Sequence, residues 1–141
     1  MNERSTESRS VVVEREFPFP PEKIWRALTQ PHLIEEWLMK NDLEAVVGHR
    51  FNLRGNPQPG LNIVVDCQVL VVEPNKTLSY TWAAYGLESV VTWTLTPTST
   101  GTHVRMEQSG FRADQEQAYQ AAKGGWQRFL VALEQVLARI D

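Results

Sequence analysis

The sequence contains one cysteine, Cys67, among 141 residues. A single cysteine cannot form an internal disulfide, which is typical of proteins kept in a reducing compartment, so we expect a cytoplasmic location. No apolar run approaches the roughly 18 to 20 residues needed to cross a membrane. Residues 1–10 are polar and lack the apolar stretch of a signal peptide. The sequence therefore predicts neither a membrane span nor a signal peptide.

Basic residues are also fewer than acidic ones. The chain carries 14 lysines and arginines against 17 aspartates and glutamates, a net charge of -3. It contains no run of lysines or arginines that would form a basic patch. Because nucleic-acid binding depends on such a patch, we expect no nucleic-acid partner.

Motifs that would indicate catalysis or a bound cofactor are missing. None of His32, His49 and His103 has a second histidine or a cysteine at metal-site spacing. The sequence has no GxSxG nucleophile motif and no glycine-rich phosphate loop. Cys67 is interpreted as a small buried residue and Ser109 as a strand end. We therefore expect no metal, no cofactor and no catalytic residue, and an active site assembled from scattered positions stays a third alternative.

The last stretch of the chain, residues 114–140, is the longest element that the sequence predicts. Apolar residues recur in steps of three and four and would form one stripe along a helix, at 118, 119, 122, 126, 129, 130, 133, 137 and 140. Such a stripe must be buried against another element. Gly124 and Gly125 interrupt the helix just before Trp126, each at a cost of roughly 1 kcal/mol relative to alanine.

The preceding chain supplies a sheet. A strand is expected at Val11–Phe17, followed by two short amphipathic helices that begin near Pro21 and Pro31. From Ala45 the apolar period changes to two, which predicts strands at 46–53, 61–72, 77–82, 88–96 and 102–109, with a loop at 54–60. In the long strand at 61–72, the residues expected on one face are Ile63, Val65, Cys67, Val69 and Val71.

Short turns between successive strands predict an antiparallel meander. We therefore predict an α+β fold in which a curved antiparallel sheet of about six strands wraps around the C-terminal helix, with two short helices after the first strand. Residues 1–10 are expected to be a flexible tail and residues 11–141 a single domain.

Several segments resemble landmarks of the START-like (SRPBCC) superfamily, and in particular of the activator of heat-shock-protein-90 ATPase homologue family. They are FPPEKIWRALT at 19–29 with Pro31 and Trp37, VLVVEP at 69–74, LSYTW at 78–82, Gly101-Thr102, Ser109-Gly110-Phe111 and Gly125-Trp126. Two positions depart from the pattern: Gln30 stands where aspartate is frequent, and Gln108 where histidine is common. The resemblance implies the helix-grip fold, and members include ligand carriers and stress-related proteins.

Aromatic side chains are the positive signal for function. The chain has 5 tryptophans, and most fall on faces that we expect to point inward. They either fill a small core or line an apolar cavity between sheet and helix. The candidate cavity-lining, ligand-binding residues are Trp37, Phe51, Tyr80, Trp82, Trp93, Met106, Gln108, Tyr119 and Trp126. Arg54 is a further polar candidate, although a solvated loop charge is the simpler interpretation.

Gly124-Gly125 has two interpretations. The first is close packing of the helix on the sheet, or relief for Trp126, and the second is a hinge or local kink that opens the mouth of a cavity. The loop at 54–60 would serve as a lid in the second case.

Three functions follow in order of preference. The first is a binding module for a small apolar or aromatic molecule. The second is a chaperone-associated protein-interaction domain, which the family resemblance alone implies. The third is a START-like enzyme, for which the nearest carboxylates, Asp66 and Glu88, are expected on outward faces. The protein is expected to be a monomer or a homodimer.

Overall fold

A computed structural model describes residues 8–58 and 61–141. Seven strands form one antiparallel sheet in the order β1-β7-β6-β5-β4-β3-β2. The elements in chain order are β1 (Ser8–Phe17), α1 (Pro21–Thr29), α2 (Pro31–Trp37), β2 (Lys40–Asn41), β3 (Arg50–Gln58), β4 (Leu61–Glu73), β5 (Thr77–Ala84), β6 (Leu87–Pro97), β7 (Thr102–Arg112) and α3 (Glu116–Arg139). This is the predicted helix-grip architecture, with the two-residue strand β2 in addition to the six expected strands.

The start of the chain differs from the expected tail. Strand β1 begins at Ser8, so residues 8–10 belong to the sheet. Residues 1–7 of the predicted tail lie outside the described residues. Within the described ranges, no helix combines the length and the apolar character that crossing a bilayer requires.

Both short helices begin at a proline, as the sequence predicts. Pro21 and Pro31 occupy the first turn, where the N–H that proline lacks has no partner within the helix. The indole N–H of Trp37 donates to the carbonyl oxygen of Ala27 at 2.9 Å and joins the end of α2 to α1. Together these helices cover one end of the sheet's inner face and contact α3.

Helix α3 lies along the inner face of the sheet and contacts β1, β7 and both short helices. Its buried side chains begin at Trp126 and continue toward the C-terminal end, at Leu130, Leu133, Val136 and Leu137. They recur at helical spacing, so one stripe enters the core. The helix ends at Arg139, whose positive charge favours the negative C-terminal end.

A β-bulge in β4 changes which of its side chains point inward. Leu70 is an extra residue in β4, because Val69 pairs with Tyr80 while Val71 pairs with Ser79. The alternation therefore reverses, and Val71 is 38% exposed. The expectation that Val71 lies on the same face as Val69 was wrong for this reason.

A second correction concerns the segment expected to be a loop at 54–60. Strand β3 continues to Gln58 and is paired with β4, so residues 54–58 belong to the sheet. Pro59 and Gly60 lie outside the described residues. The strand expected at 46–53 begins only at Arg50, since Gly48 has a φ of 91° and precedes the strand in a turn.

Candidate functional site

Most of the predicted cavity-lining aromatics lie in the closed core. Trp37, Tyr80, Trp93 and Met106 are all at most 4% exposed. The ring of Trp37 packs edge-on against Trp93 at 5.6 Å, and the indole N–H of Trp93 donates to the hydroxyl of Tyr80 at 3.1 Å. These four side chains fill the interior, and none of them lines the pocket described next.

A pocket of about 680 Å³ lies between the first half of α3 and the inner face of the sheet. Of the nine predicted residues, it brings together Trp82, Gln108 and Trp126. Sequence reasoning missed five apolar side chains of the lining. Four are on strands of the sheet, namely Ile63, Val65, Ala84 and Leu87, and the fifth, Met39, directly precedes β2.

The shape of the pocket follows from small residues on α3. Ala118, Ala121, Ala122 and Gly125 all line it, and they are spaced as one face of a helix. None has a side chain long enough to reach the sheet, so the space between the elements stays open over two turns. Larger side chains begin at Trp126 and close the core beyond it. Small residues at helical spacing were the sequence signal for this pocket.

Aromatic rings close the inner end of the pocket. The ring centroid of Trp126 lies 5.2 Å from that of Trp82, 5.4 Å from that of Phe129 and 5.8 Å from that of Trp93. Trp126 is only 2% exposed, so it belongs to the core and to the pocket wall at once. Phe129 was not among the predicted site residues.

A chain of hydrogen bonds stabilises the polar part of this wall. The indole N–H of Trp126 donates to Oε1 of Gln108 at 2.7 Å, and Nε2 of Gln108 donates to Oγ of Ser89 at 3.0 Å. Ser89 in turn donates to the carbonyl oxygen of Trp82 at 2.8 Å. Gln108 and Ser89 are buried. The chain connects α3 with β7, β6 and β5.

Charged side chains occur only at the outer rim of the pocket among the described residues. Asp114 and Glu116 line this rim, and each forms an ion pair, with Arg112 and Arg9 respectively. Hydrogen bonds from Gln120 and Arg9 hold the pKa of the Glu116 carboxyl below its usual value. The exposed Tyr85 lies at the same rim. The pocket itself is apolar.

The remaining predicted residues lie elsewhere. Tyr119 is on α3 outside the pocket lining and packs toward β1 and β7, with the guanidinium of Arg9 4.0 Å from its ring centroid and Phe111 edge-on at 5.6 Å. Phe51 lines a separate polar depression with Asp42 and Asp66. Arg54 is exposed and donates to Asn52; it lines a neighbouring depression that shares Met39 and Ile63 with the pocket.

Gly124 and Gly125 do not mark a close approach of helix to sheet. A Cβ added at Gly124 would meet only the end of the Arg128 side chain at 3.4 Å, and one at Gly125 would meet the same side chain at 3.9 Å. The expectation of close packing between helix and sheet at this pair was therefore wrong. Helix α3 runs without interruption through both residues, and Gly125 lines the pocket.

Other clusters of polar residues lie on the outer face of the sheet. Nε2 of His103 lies 2.7 Å from Oε1 of Glu14, and its Nδ1 lies 3.5 Å from Oε1 of Glu16. Asp66 and Glu88 are exposed, as expected. In the part of the chain that the structure describes, no three His, Cys, Asp or Glu side chains are placed to hold a metal ion.

Comparison with known proteins identifies a family and several similar structures. Residues 18–138 match the family described as Activator of Hsp90 ATPase homolog 1-like protein. The chain is 64% identical to protein MLL2253 from Mesorhizobium loti, with a TM-score of 0.87 over 94% of this chain and 99% of that one. It is 28% identical to protein BH1534 from Bacillus halodurans, with a TM-score of 0.77 over 92% and 96%.

A third similar structure is DynU16, a protein in the dynemicin biosynthetic locus. It is 26% identical, with a TM-score of 0.80, and the alignment covers 92% of this chain and 47% of DynU16. A search of curated proteins finds no match.

Proposed function

The chain belongs to the Activator of Hsp90 ATPase homolog 1-like family, and on that premise we propose that it binds a small, neutral, largely apolar molecule between α3 and the sheet. The observation that carries this proposal is the face of alanines and Gly125 on α3, opposite Trp82 and the aliphatic side chains of the sheet. A helix that served only to close the core would bear large apolar side chains there. Its second half does bear them.

The size and the lining support a molecule of this class. Ligand sites are usually clefts of about 300–1,000 Å³, mostly apolar, with a few placed polar groups. A pocket of about 680 Å³ with three aromatic rings at its inner end fits that description. Flat aromatic or alicyclic molecules would pack against Trp82, Trp126 and Phe129.

The charges favour a neutral ligand over an anionic one. The carboxylates of Asp114 and Glu116 stand at the rim, and no lysine or arginine is among the described lining residues. A fatty-acid carboxylate would find no cation inside the pocket, and burial of an unpaired charge is costly. Arg9 and Arg112 neutralise the rim carboxylates, so the pocket offers a cationic ligand no unpaired anion either.

The test is binding of N-phenyl-1-naphthylamine, a neutral aromatic probe that becomes fluorescent in apolar sites. We expect saturable binding by the wild-type protein. Gly125→Leu would direct an isobutyl group into the pocket, and overfilling of this kind should weaken binding about tenfold or more. Leucine also favours a helix more than glycine does, so the variant should remain folded.

Gly124→Leu is the matched control. It makes the same change one residue earlier, outside the pocket lining, where an added Cβ meets only the flexible end of Arg128. We expect it to bind the probe as the wild-type protein does. Equal binding by all three proteins, or no saturable binding by the wild type, would contradict the proposal.

The chaperone-associated function has the family description as its support. An ATPase assay with the host's Hsp90 separates the two functions. Stimulation that is equal in wild type and Gly125→Leu, together with absence of probe binding, would favour the chaperone role.

A further inference from the structure

The hydrogen-bond chain at the inner wall of the pocket has a fixed direction. An indole N–H can only donate, so the atom of Gln108 that faces Trp126 must be the amide oxygen. The amide nitrogen therefore faces Ser89, and the Ser89 hydroxyl, which accepts from it, directs its own proton to the carbonyl oxygen of Trp82. The orientation of the Gln108 amide is determined by its partners.

This arrangement leaves one donor of Gln108 unused among the described residues. The amide nitrogen carries two protons, and only one is needed for the bond to Ser89. Gln108 is 2% exposed and lines the pocket next to Trp82 and Trp126. Its second N–H therefore reaches no bulk solvent. Because Gln108 lines the pocket, we infer that the partner of this N–H is the molecule that occupies the pocket.

Resting on the proposed function, we propose that Gln108 is the specificity-determining residue of the site and that it selects ligands with a carbonyl acceptor at the end that enters the pocket. The amide donates its second N–H to that oxygen. An apolar ligand of the same shape would displace water from this N–H and leave it without a partner, which a buried donor tolerates poorly. The bond to Trp126 prevents the amide from rotating away from the ligand.

Three features make Gln108 suited to this role. It is the one polar side chain among the described lining residues at the inner end, since the others lie at the rim. It is located in β7, a central strand paired on both sides, so its backbone is fixed. An amide is neutral at every physiological pH, so it can select a carbonyl without admitting a charged group.

The test uses two neutral compounds that differ in one group. Prodan is a dimethylaminonaphthalene ketone, and its propyl analogue has CH2 in place of the carbonyl. Both are measured by displacement of N-phenyl-1-naphthylamine from the wild-type protein. We expect Prodan to bind about tenfold more tightly than the propyl analogue. Gln108→Met, which keeps the length of the side chain but has no N–H, should bring the two affinities to about equal values.

Val91→Ala is the control for general loosening of the core. Val91 pairs with Gln108 across β6 and β7, is fully buried, and lies outside the pocket lining. The preference for Prodan should survive in this variant. A spectroscopic measurement on the wild-type protein needs no variant to fold: the carbonyl stretch of bound Prodan should shift to lower frequency, as in a hydrogen-bonded ketone.

The outcomes are distinct. Equal binding of the two compounds by the wild-type protein, or a carbonyl stretch like that in a hydrocarbon, would overturn the role of Gln108 and leave the proposed function standing. Failure of both compounds and of the naphthylamine probe to bind would overturn both proposals. Loss of the preference in Val91→Ala as well as in Gln108→Met would show that core packing, not the amide, sets it.

Discussion

Trp126 is the residue at which the core and the pocket meet. Its ring packs against Trp82, Trp93 and Phe129, and its N–H is bonded to Gln108. We expect Trp126→Ala to lower the free energy of unfolding by about 3 to 5 kcal/mol, because it removes a large buried ring and leaves the Gln108 oxygen without its donor. Urea denaturation followed by far-UV circular dichroism measures the loss.

Trp126→Phe serves as the comparison for this prediction. It keeps an aromatic ring and loses only the N–H and part of the ring volume, so a loss of about 1 to 2 kcal/mol is expected. A loss below about 1 kcal/mol for the alanine variant would mean that the ring belongs to the pocket wall alone, contrary to its burial.

Cys67 should make the free energy of unfolding decrease at alkaline pH. Burial, with the nearby charges of Asp66 and Asp42 adding to it, raises the pKa of this thiol to about 12. In the unfolded chain the thiol ionises near pH 8.5, at about the ordinary cysteine pKa. Above that pH the unfolded state releases a proton that the folded state retains, so the free energy of unfolding should fall, by up to about 1.4 kcal/mol per pH unit.

The control for this prediction is Cys67→Ala, in which the thiol is absent. The difference in free energy of unfolding between wild type and variant should shrink as pH rises from about 8.5 to 10. Burial also raises the pKa of Tyr80, but both proteins contain it, so the difference reports on Cys67. A difference that stays constant over this range would contradict the raised pKa.

At the scale of elements, β7 shows how one glycine redirects a strand. Ser109 pairs with Ser10 and Phe111 with Arg9, so Gly110 is an extra residue between them. This bulge reverses the alternation after Gln108 and turns the Phe111 ring into the core, where it meets Tyr119. Gly110 has a φ of 114°, and a Cβ there would lie 2.7 Å from the carbonyl oxygen of Glu88.

Gly110→Ala should therefore be strongly destabilising, by about 3 kcal/mol or more, from backbone strain and collision with a neighbouring strand.

Gly86→Ala is the matched control. Gly86 and Tyr85 form a two-residue hairpin turn in which both φ angles are positive, and a Cβ at Gly86 meets nothing within 4 Å. Strain alone should cost about 1 to 2 kcal/mol there. If the two variants lose the same free energy of unfolding, measured by heat or urea, the collision at Gly110 is refuted.

The sequence predicted the three helices and six of the seven described strands, but it predicted neither β2 nor the two bulges. Hydrophobic period gave the strands and α3, because burial of one face sets that period. Val71 was misplaced since one extra residue in β4 reverses every later side chain, and Leu70 carries no signal of it. Gly110 is a glycine in a strand, and this was a signal that could have indicated the second bulge.

Prediction of the site was limited because the sequence does not show which side chains face each other across the core. Trp37, Tyr80 and Trp93 face inward as expected, but facing inward does not distinguish a filled core from a pocket. Whether an inward ring lines a pocket depends on the size of the side chains that face it from the other elements. The four small residues on α3, from Ala118 to Gly125, leave space opposite Trp82, whereas large side chains stand opposite Trp93. Which residues oppose each other across the core is a tertiary property.

At the scale of the whole molecule, the sheet joins the two ends of the chain. The first strand pairs with the last one, Val13 lying opposite Met106, so β1 can dock only after almost the whole chain has been brought together. Strands β5, β6 and β7 are instead joined by short turns. Because closing a long loop costs entropy before its contacts repay it, the meander should form before β1 is added.

Two equivalent substitutions test this order. Val13 in β1 and Val91 in β6 are both buried, and each Val→Ala change should cost about 2 kcal/mol of stability. We expect Val91→Ala to slow folding, with a φ-value above about 0.5, and Val13→Ala mainly to accelerate unfolding, with a φ-value below about 0.3. Stopped-flow measurements in urea, with the native tryptophans as the fluorescent probe, give both rates. A φ-value for Val13 equal to or above that of Val91 would show that the chain ends meet early.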